Sequence, residues 1–142
     1  MRQFRFLKTA TADIAFDAYG KTKEELCEHA ALALESVMVD LSTIRSKKMM
    51  CVKVCGNDLG MLVFNLLDEL VYLKDVKQIL FCKCKISIQQ GTKKLKLTAK
   101  LWGEKINPKT QQLGNDIKAV TYHLFEVKKS KIGYKVRVLV DV

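Results

Sequence analysis

From Gln78 onward the chain is a succession of strand patterns, and this feature limits its fold more than any other. Four segments alternate apolar and polar residues: QILFCKCKISIQ, KLKLTAKLWGE, DIKAVTYHLFEVKK and YKVRVLVDV. Turn signals separate them at Gly91, at NPKTQQLGN and at SKIG. Strands joined by short turns pair antiparallel, so we expect a mainly antiparallel sheet in the C-terminal half.

The N-terminal half opens with two further strand patterns and then turns helical. RQFRFLK and ADIAFDAYG alternate at period two, with Asp13, Asp17 and Tyr19 on one face and the apolar residues on the other. Gly20 ends the second strand. Thr22, followed three residues later by Glu25, forms the capping box that predicts the start of a helix.

A second helix is predicted after the short strand MMCVKVCG, beginning at Asn57 or Asp58. Apolar residues repeat at helical spacing in both helices. They are Leu26, Ala30, Leu34, Val37 and Met38 in the first helix, and Leu59, Leu62, Val63, Leu66, Leu67, Leu70 and Leu73 in the second. The expected fold class is α+β, a single domain over residues 1–142 with two amphipathic helices packed on mainly antiparallel β-sheet.

The composition and the N-terminal sequence indicate where in the cell the protein is located. No apolar run approaches the roughly 20 residues of a membrane helix, and the start MRQFRF lacks the apolar core of a secretion signal. The five cysteines are an odd number, which does not suit a disulfide framework. We therefore predict a cytoplasmic protein without a membrane partner. A four-thiolate zinc site is an alternative use of Cys51, Cys55, Cys82 and Cys84, although the usual C-x₂-C spacing is missing.

Charge is distributed unevenly along the chain. Residues 76–142 carry 15 Lys and Arg against four Asp and Glu, whereas residues 1–75 are nearly balanced. A basic half suggests an acidic partner or a phosphate backbone. The alternative is that these lysines occupy the polar side of strands, where they deter edge-to-edge aggregation.

The sequence gives no sign of catalysis. Of its two histidines, His29 is predicted to be a surface residue on the exposed side of the first helix, and His123 a structural histidine within a strand. No Ser or Cys stands in a nucleophile motif, and no Gly-rich loop joins a strand to a helix. We therefore predict a protein that is not an enzyme.

Acidic groups at the two ends of the chain are the candidate functional residues. Asp13 begins an early strand, while Asp141 and the carboxylate of Val142 end the last strand. If these strands are neighbours, three carboxylates converge, and their mutual repulsion favours binding of a hard cation through oxygen. Calcium, magnesium and manganese all suit such ligands.

Several blocks of the sequence resemble the archease family in order and spacing. They are TADIAFDAYGKTKEEL, AALALESVMVDLS, LLDELVYL, LWGE, DIKAVTYHLFEV and the terminal LVDV, which together cover essentially the whole chain. The resemblance implies a non-catalytic, cytoplasmic activator of the tRNA-splicing RNA ligase that promotes ligase guanylylation and repeated turnover. It also implies a metal site, described for calcium, at Asp13, Asp141 and Val142.

One position departs from the family pattern. Ala10 stands where archeases usually have a histidine, which puts metal affinity or proton handling in doubt but not the role of Asp13. Two alternative functions stay open at this point. The basic half suggests direct RNA binding, and the family is also associated with a chaperone-like role.

Overall fold

The computed structural model describes residues 3–9 and 13–142. Within these ranges the chain forms seven strands and two α-helices in the order β1, β2, α1, β3, α2, β4, β5, β6, β7, with one 3₁₀ turn at Leu41–Thr43. Their bounds are β1 Phe4–Leu7, β2 Ile14–Gly20, α1 Lys23–Met38, β3 Lys48–Gly56, α2 Leu59–Lys77, β4 Ile79–Gln90, β5 Leu95–Lys105, β6 Ala119–Ser130 and β7 Gly133–Asp141.

Local sequence signals fix where the helices begin. The backbone N–H of Glu25 donates to the Thr22 hydroxyl at 3.1 Å, and the Glu25 carboxylate accepts from the N–H of Lys21. This confirms the predicted cap of α1, because the Thr22 hydroxyl satisfies a backbone donor that the first turn leaves unpaired, and the Glu25 carboxylate reaches back to the residue before the cap. Asp58 caps α2 in the same way, accepting from the N–H of Met61 at 2.9 Å. Gln78 ends α2 in the left-handed conformation, with φ of 53°.

The strands divide between two antiparallel sheets. One sheet has four strands in the order β1-β2-β7-β6, and the other has three in the order β3-β5-β4. A strand from the N-terminal part of the chain, β2, therefore lies beside the last strand, β7, in the four-stranded sheet. Within the described residues the predicted strands and their antiparallel pairing are confirmed; Arg2 and Ala12, with which the first two predicted strands begin, lie outside these residues.

The two helices lie between the sheets. Helix α1 packs against β2 on one side and β4 on the other, while α2 contacts β3 and β6. Buried residues from both helices and both sheets belong to one apolar cluster, which includes Phe16, Leu34, Leu66, Leu97 and Val138. This enclosure explains why both helices are buried over much more than one stripe. The predicted α+β class, with helices packed on sheet, is confirmed.

Within the described ranges neither helix has the length and apolar content that a bilayer crossing requires.

Candidate functional site

Asp13 and Asp141 lie at the same end of two paired strands. Strand β2 pairs antiparallel with β7, and Ile14 is opposite Val140. Asp13 directly precedes Ile14 and Asp141 directly follows Val140, so the two acids meet at this end of the four-stranded sheet. The alternation of side chains places both on the outer face, because Phe16 and Val138 point into the core. The strand pairing that the proposed site requires is thus present.

Backbone contacts hold both acids in place. The N–H of Lys118 donates to the carbonyl of Asp141 at 2.7 Å, and Ala119 pairs with Asp141 across β6 and β7. On the other side, the hydroxyl of Thr9 donates to the carbonyl of Asp13 at 2.8 Å. Asp141 is exposed and Asp13 is half-buried, so this end of the sheet is open to a ligand or partner.

The donor chemistry here fits a hard cation in part. Carboxylate and main-chain oxygens from Asp13, Asp141 and Val142 are the ligand type that Ca²⁺ and Mg²⁺ prefer. Among the described residues, however, no three His, Cys, Asp or Glu side chains cluster closely enough to hold a metal. Since Ca²⁺ takes about six to eight oxygens, water or a partner would have to supply the remainder. Ala10, where the resemblance leads us to expect a histidine, lies outside the described residues.

A second acid on the same outer face is completely buried by cations. Asp17 is opposite Arg5 on β1 and opposite Arg137 on β7. The Arg137 guanidinium donates to both carboxylate oxygens of Asp17, at 2.8 and 3.0 Å. Lys135 and Arg5 approach to 3.4 and 3.6 Å, and the Asp17 side chain has no exposed surface. Three strands are thereby joined across their outer face.

This cluster sets the ionisation of Asp17. Burial alone would raise the pKa of Asp17, but the hydrogen bonds and charges of Arg137 and Lys135 outweigh it and leave the pKa below its usual range. The carboxylate is therefore charged at neutral pH. Asp17 has its oxygens committed to cations, which makes it a structural residue and separates its role from that of Asp13. Sequence alternation placed Asp17 on the polar face but gave no sign of its burial.

A buried acid also lies in the helical layer. Glu35 of α1 accepts a hydrogen bond from the N–H of Phe81 at 2.8 Å through one carboxylate oxygen. Its other oxygen has no hydrogen-bond partner within the described chain. Burial raises the pKa of Glu35 to about 8, with the Phe81 N–H and the charge of Lys74 opposing the shift. Glu35 is therefore largely protonated at neutral pH.

The cysteines do not assemble into the alternative zinc site. Strands β3 and β4 flank β5 and do not touch, which separates the two cysteine pairs. Cys51 and Cys55 are exposed on the outer face, whereas Cys84 is opposite the buried Leu101 and points inward. Burial raises the pKa of Cys84 to about 12, which disfavours the thiolate that zinc needs.

Both histidine predictions need correction. His29 is half-buried rather than exposed, and its Nδ1 lies within hydrogen-bond distance of the Tyr19 carbonyl. The end of β2 covers this side of α1, which the helical period alone did not indicate. His123 is exposed, not enclosed, because β6 leaves its regular pairing with β7 between Thr121 and Glu126.

These features define a small α+β protein with two helices between antiparallel sheets and a pair of acids at one end of the paired strands β2 and β7. The model of the archease protein family matches residues 4–142. The chain belongs to this family, as the sequence blocks predicted.

Curated relatives support the same assignment over full length. The protein archease of Methanosarcina barkeri is 37% identical over 142 residues, which are 99% of this chain and 97% of the relative. That of Sulfurisphaera tokodaii is 35% identical over the whole of both chains.

Solved structures share the fold. The solution structure of protein 1598 from Methanobacterium thermoautotrophicum superposes over the whole of both chains with a TM-score of 0.89 at 36% identity. An archease of Thermotoga maritima, described as a possible chaperone, matches over 97% of each chain with a TM-score of 0.63 at 24% identity. The second likeness supports the fold alone.

Proposed function

We propose that this protein is a non-catalytic activator of the tRNA-splicing RNA ligase that promotes guanylylation of the ligase and its multiple turnover. Its membership of the archease family supports the proposal. The observation that carries it is the pairing of β2 with β7, because this pairing brings Asp13 and Asp141 to one open end of a sheet. The proposal includes the cytoplasmic location predicted from the sequence.

Three residues would hold a divalent metal in this proposal. They are Asp13, Asp141 and Val142, the last through a main-chain oxygen, with calcium as the first choice and magnesium or manganese as alternatives. Such a metal, when bound, supplies positive charge that orients and neutralises phosphate oxygens. The chain's own contribution is placement: the β2–β7 ladder and the Lys118 N–H fix where the two carboxylates can stand. Because Asp141 is exposed, an oxygen ligand supplied by a partner protein would reach the metal from the Asp141 side.

The decisive experiment compares ligase guanylylation with the wild-type protein and with Asp141→Ala. Purified ligase, GTP and metal are mixed with each protein, and covalent guanylate on the ligase is measured over time. We expect Asp141→Ala to lose at least tenfold in stimulation, because one of the two carboxylates at the site is gone. Asp68→Ala removes an equal charge from the exposed surface of α2 and serves as the matched control. An Asp141→Ala protein that is folded and stimulates fully would refute the proposal.

A chaperone-like role is the second candidate. The Thermotoga relative is described as a possible chaperone, and this chain exposes large apolar side chains on β6, where Tyr122 is 65% and Leu124 is 54% accessible. Suppression of aggregation of an unrelated client protein separates the two functions. A dedicated ligase activator leaves that aggregation unchanged, whereas a general chaperone reduces it in proportion to its concentration.

A further inference from the structure

The outer face of the three-stranded sheet carries lysines without acidic neighbours. Side chains alternate along β3, β4 and β5, so every second residue points away from the helices. The outward positions hold Lys53 on β3, Lys83 and Lys85 on β4, and Lys96 and Lys100 on β5. Glu104, beyond the bulge at the end of β5, is bound to Arg45 and Gln111 and does not neutralise them. We call these five lysines the lysine face.

Their arrangement is electrostatically unfavourable for the protein alone. Lys85 lies directly opposite Lys100, and like charges in such cross-strand positions destabilise a sheet. Within the described part of the chain, none of the five lysines forms an ion pair. Protection against edge pairing accounts at most for Lys53, Lys83 and Lys85, which lie on the edge strands β3 and β4. It does not account for Lys96 and Lys100, since β5 is the central strand of its sheet. Binding of an anionic ligand would offset the repulsion between these lysines.

One aromatic side chain adjoins the lysines. Trp102 of β5 is half-buried, lies opposite Lys83 and has the Lys83 ammonium 4.9 Å from its ring centroid. The exposed Met49 is its partner on β3. A strip of positive charge leading to an aromatic ring is the arrangement that sequence-tolerant single-strand binders use, with phosphates on the cations and a base on the ring.

The composition of this face favours a nucleic acid over an acidic protein. Protein interfaces have an apolar centre and are depleted in lysine. Here Lys100 and Thr98 occupy the middle of the sheet, and the apolar residues Trp102 and Met49 lie to one side. We propose that the lysine face binds single-stranded nucleic acid, with the lysines on backbone phosphates and a base stacked on Trp102 in place of the Lys83 ammonium. This function goes beyond ligase activation and needs no ligase.

The charge requirement is tested by fluorescence anisotropy with a labelled twelve-nucleotide oligouridylate, and with its DNA counterpart, over a range of NaCl concentrations. For the wild type, five phosphate contacts predict a log–log salt slope near −3.5, at about 0.7 per contact for single strands. The Lys85→Gln/Lys100→Gln protein should lose roughly 10- to 30-fold in affinity at 0.1 M salt and about 1.4 in slope. Removing two facing cations should not impair folding.

The matched control is Lys21→Gln/Lys131→Gln. Both lysines are exposed at the turn end of the other sheet, and Lys21 adjoins Gly133. This protein has the same net charge as the test variant and should bind as tightly as the wild type. Equal losses in both variants would show a nonspecific charge effect and overturn the assignment to this face, as would the absence of wild-type binding at 50 mM salt.

Trp102 provides an independent readout because it is the chain's single tryptophan. A base stacked on its indole should quench the intrinsic fluorescence as oligonucleotide is added. Polyglutamate of equal charge should leave the emission unquenched and bind at least tenfold more weakly. If polyglutamate binds as tightly, the face recognises acidic polypeptide and the proposal fails. Unchanged emission on nucleic-acid binding would also contradict it.

A final variant separates this proposal from ligase activation. Asp141→Ala lies on the other sheet, so it should keep full oligonucleotide affinity while losing stimulation of the ligase. The Lys85→Gln/Lys100→Gln protein should stimulate guanylylation of the ligase in the absence of RNA. If Asp141→Ala also lost oligonucleotide binding, the assignment of the binding surface to the lysine face would be wrong.

Discussion

Asp17 is a charged residue with no solvent contact, held by cations that are themselves partly exposed. Removing one member of such a buried ion pair leaves the remaining charges uncompensated. The resulting loss of stability is larger than the net stabilisation that the intact pair provides. The alternation of β2 placed Asp17 among polar positions, where solvent exposure is the usual expectation. Its burial depends on Arg5 and Arg137 lying opposite on both neighbouring strands, and pairing partners are not visible in the sequence of one strand.

We expect Asp17→Asn to lower the free energy of unfolding by about 3 kcal/mol at pH 7, because Arg137, Arg5 and Lys135 then repel one another around a neutral amide. Urea denaturation measures the loss. Asp68→Asn is the control, since Asp68 is exposed on α2, outside the Asp17 cluster; its cost should be below about 1 kcal/mol. The Asp17 difference should shrink below pH 4, because the lowered pKa makes its stabilisation disappear as the carboxylate protonates. Equal stability of wild type and Asp17→Asn would contradict the structural role.

The contribution of Glu35 to the free energy of unfolding should depend on pH in the opposite direction to that of Asp17. Its pKa is about 8 in the folded protein and near 4.5 when unfolded, so folding favours the protonated form. The stability it contributes is fully present below about pH 4.5 and is lost as pH rises toward 8. Between these values the free energy of unfolding should fall by up to about 1.4 kcal/mol per pH unit.

The Glu35→Gln protein tests this origin. Glutamine keeps an oxygen for the Phe81 N–H but does not titrate, so the slope of unfolding free energy between pH 5 and 8 should flatten. Urea denaturation at intervals of half a pH unit gives both curves. Parallel curves would show that another group causes the dependence.

At the scale of elements, the sequence predicted the strands and helices well because alternation and capping are local signals. It did not predict how the strands divide into two sheets. Strand β5 pairs with β3 as well as with β4, and no periodicity distinguishes this from a single sheet. The irregular pairing of β6 near His123 and the bulge in β4 between Phe81 and Lys83 were also invisible, since both arise from contacts between strands.

The β4 bulge depends on a glycine in the facing strand. Gly103 lies opposite Phe81, and a Cβ at this position would stand 1.9 Å from the Leu80 carbonyl oxygen. We expect Gly103→Ala to destabilise the protein by roughly 2–4 kcal/mol, because backbone must move to accommodate it. Thermal unfolding followed by circular dichroism measures the change.

Gly60→Ala is the matched control for that change. Gly60 lies in the first turn of α2, where the nearest atom to an added Cβ is 3.4 Å away, and alanine favours helix. This variant should be unchanged or up to about 1 kcal/mol more stable. If both glycine variants behaved alike, the close approach at the bulge would not be the cause.

For the whole molecule, family and fold were predictable from ordered sequence blocks, but the chemistry of the surfaces was not. The net charge of the C-terminal half indicated an acidic or phosphate-bearing partner without locating it. Only the three-dimensional arrangement shows that β3 adds Lys53 to the lysines of β4 and β5 on one face. The position of the acids was easier to predict, because only one strand pairing, β2 with β7, is needed to bring Asp13 and Asp141 together.

Metal binding is tested by its effect on unfolding. A cation that binds only the folded protein raises the midpoint temperature. With 10 mM CaCl₂ against EDTA, a millimolar to submillimolar site should raise it by roughly 3–8 °C. Asp13→Asn and Asp141→Asn should abolish this difference, whatever their own midpoints in EDTA.

Asp68→Asn, on the exposed surface of α2, is the control and should keep the calcium-dependent difference. Magnesium and manganese in place of calcium would establish selectivity. A wild-type midpoint that is the same with each metal and with EDTA would contradict the metal site while leaving the fold and family unaffected.

Enclosure of both helices between sheets has a consequence for how the molecule meets other macromolecules. The strand ends that carry Asp13 and Asp141 belong to one sheet and the lysine face to the other, and the helical layer lies between the two sheets. If both proposed sites bind their ligands, a cation and an anionic strand can therefore occupy one copy at the same time without competing for space. On the proposed functions, a nucleic acid bound to the lysine face would leave the sheet end at Asp13 and Asp141 available to the ligase that acts on it.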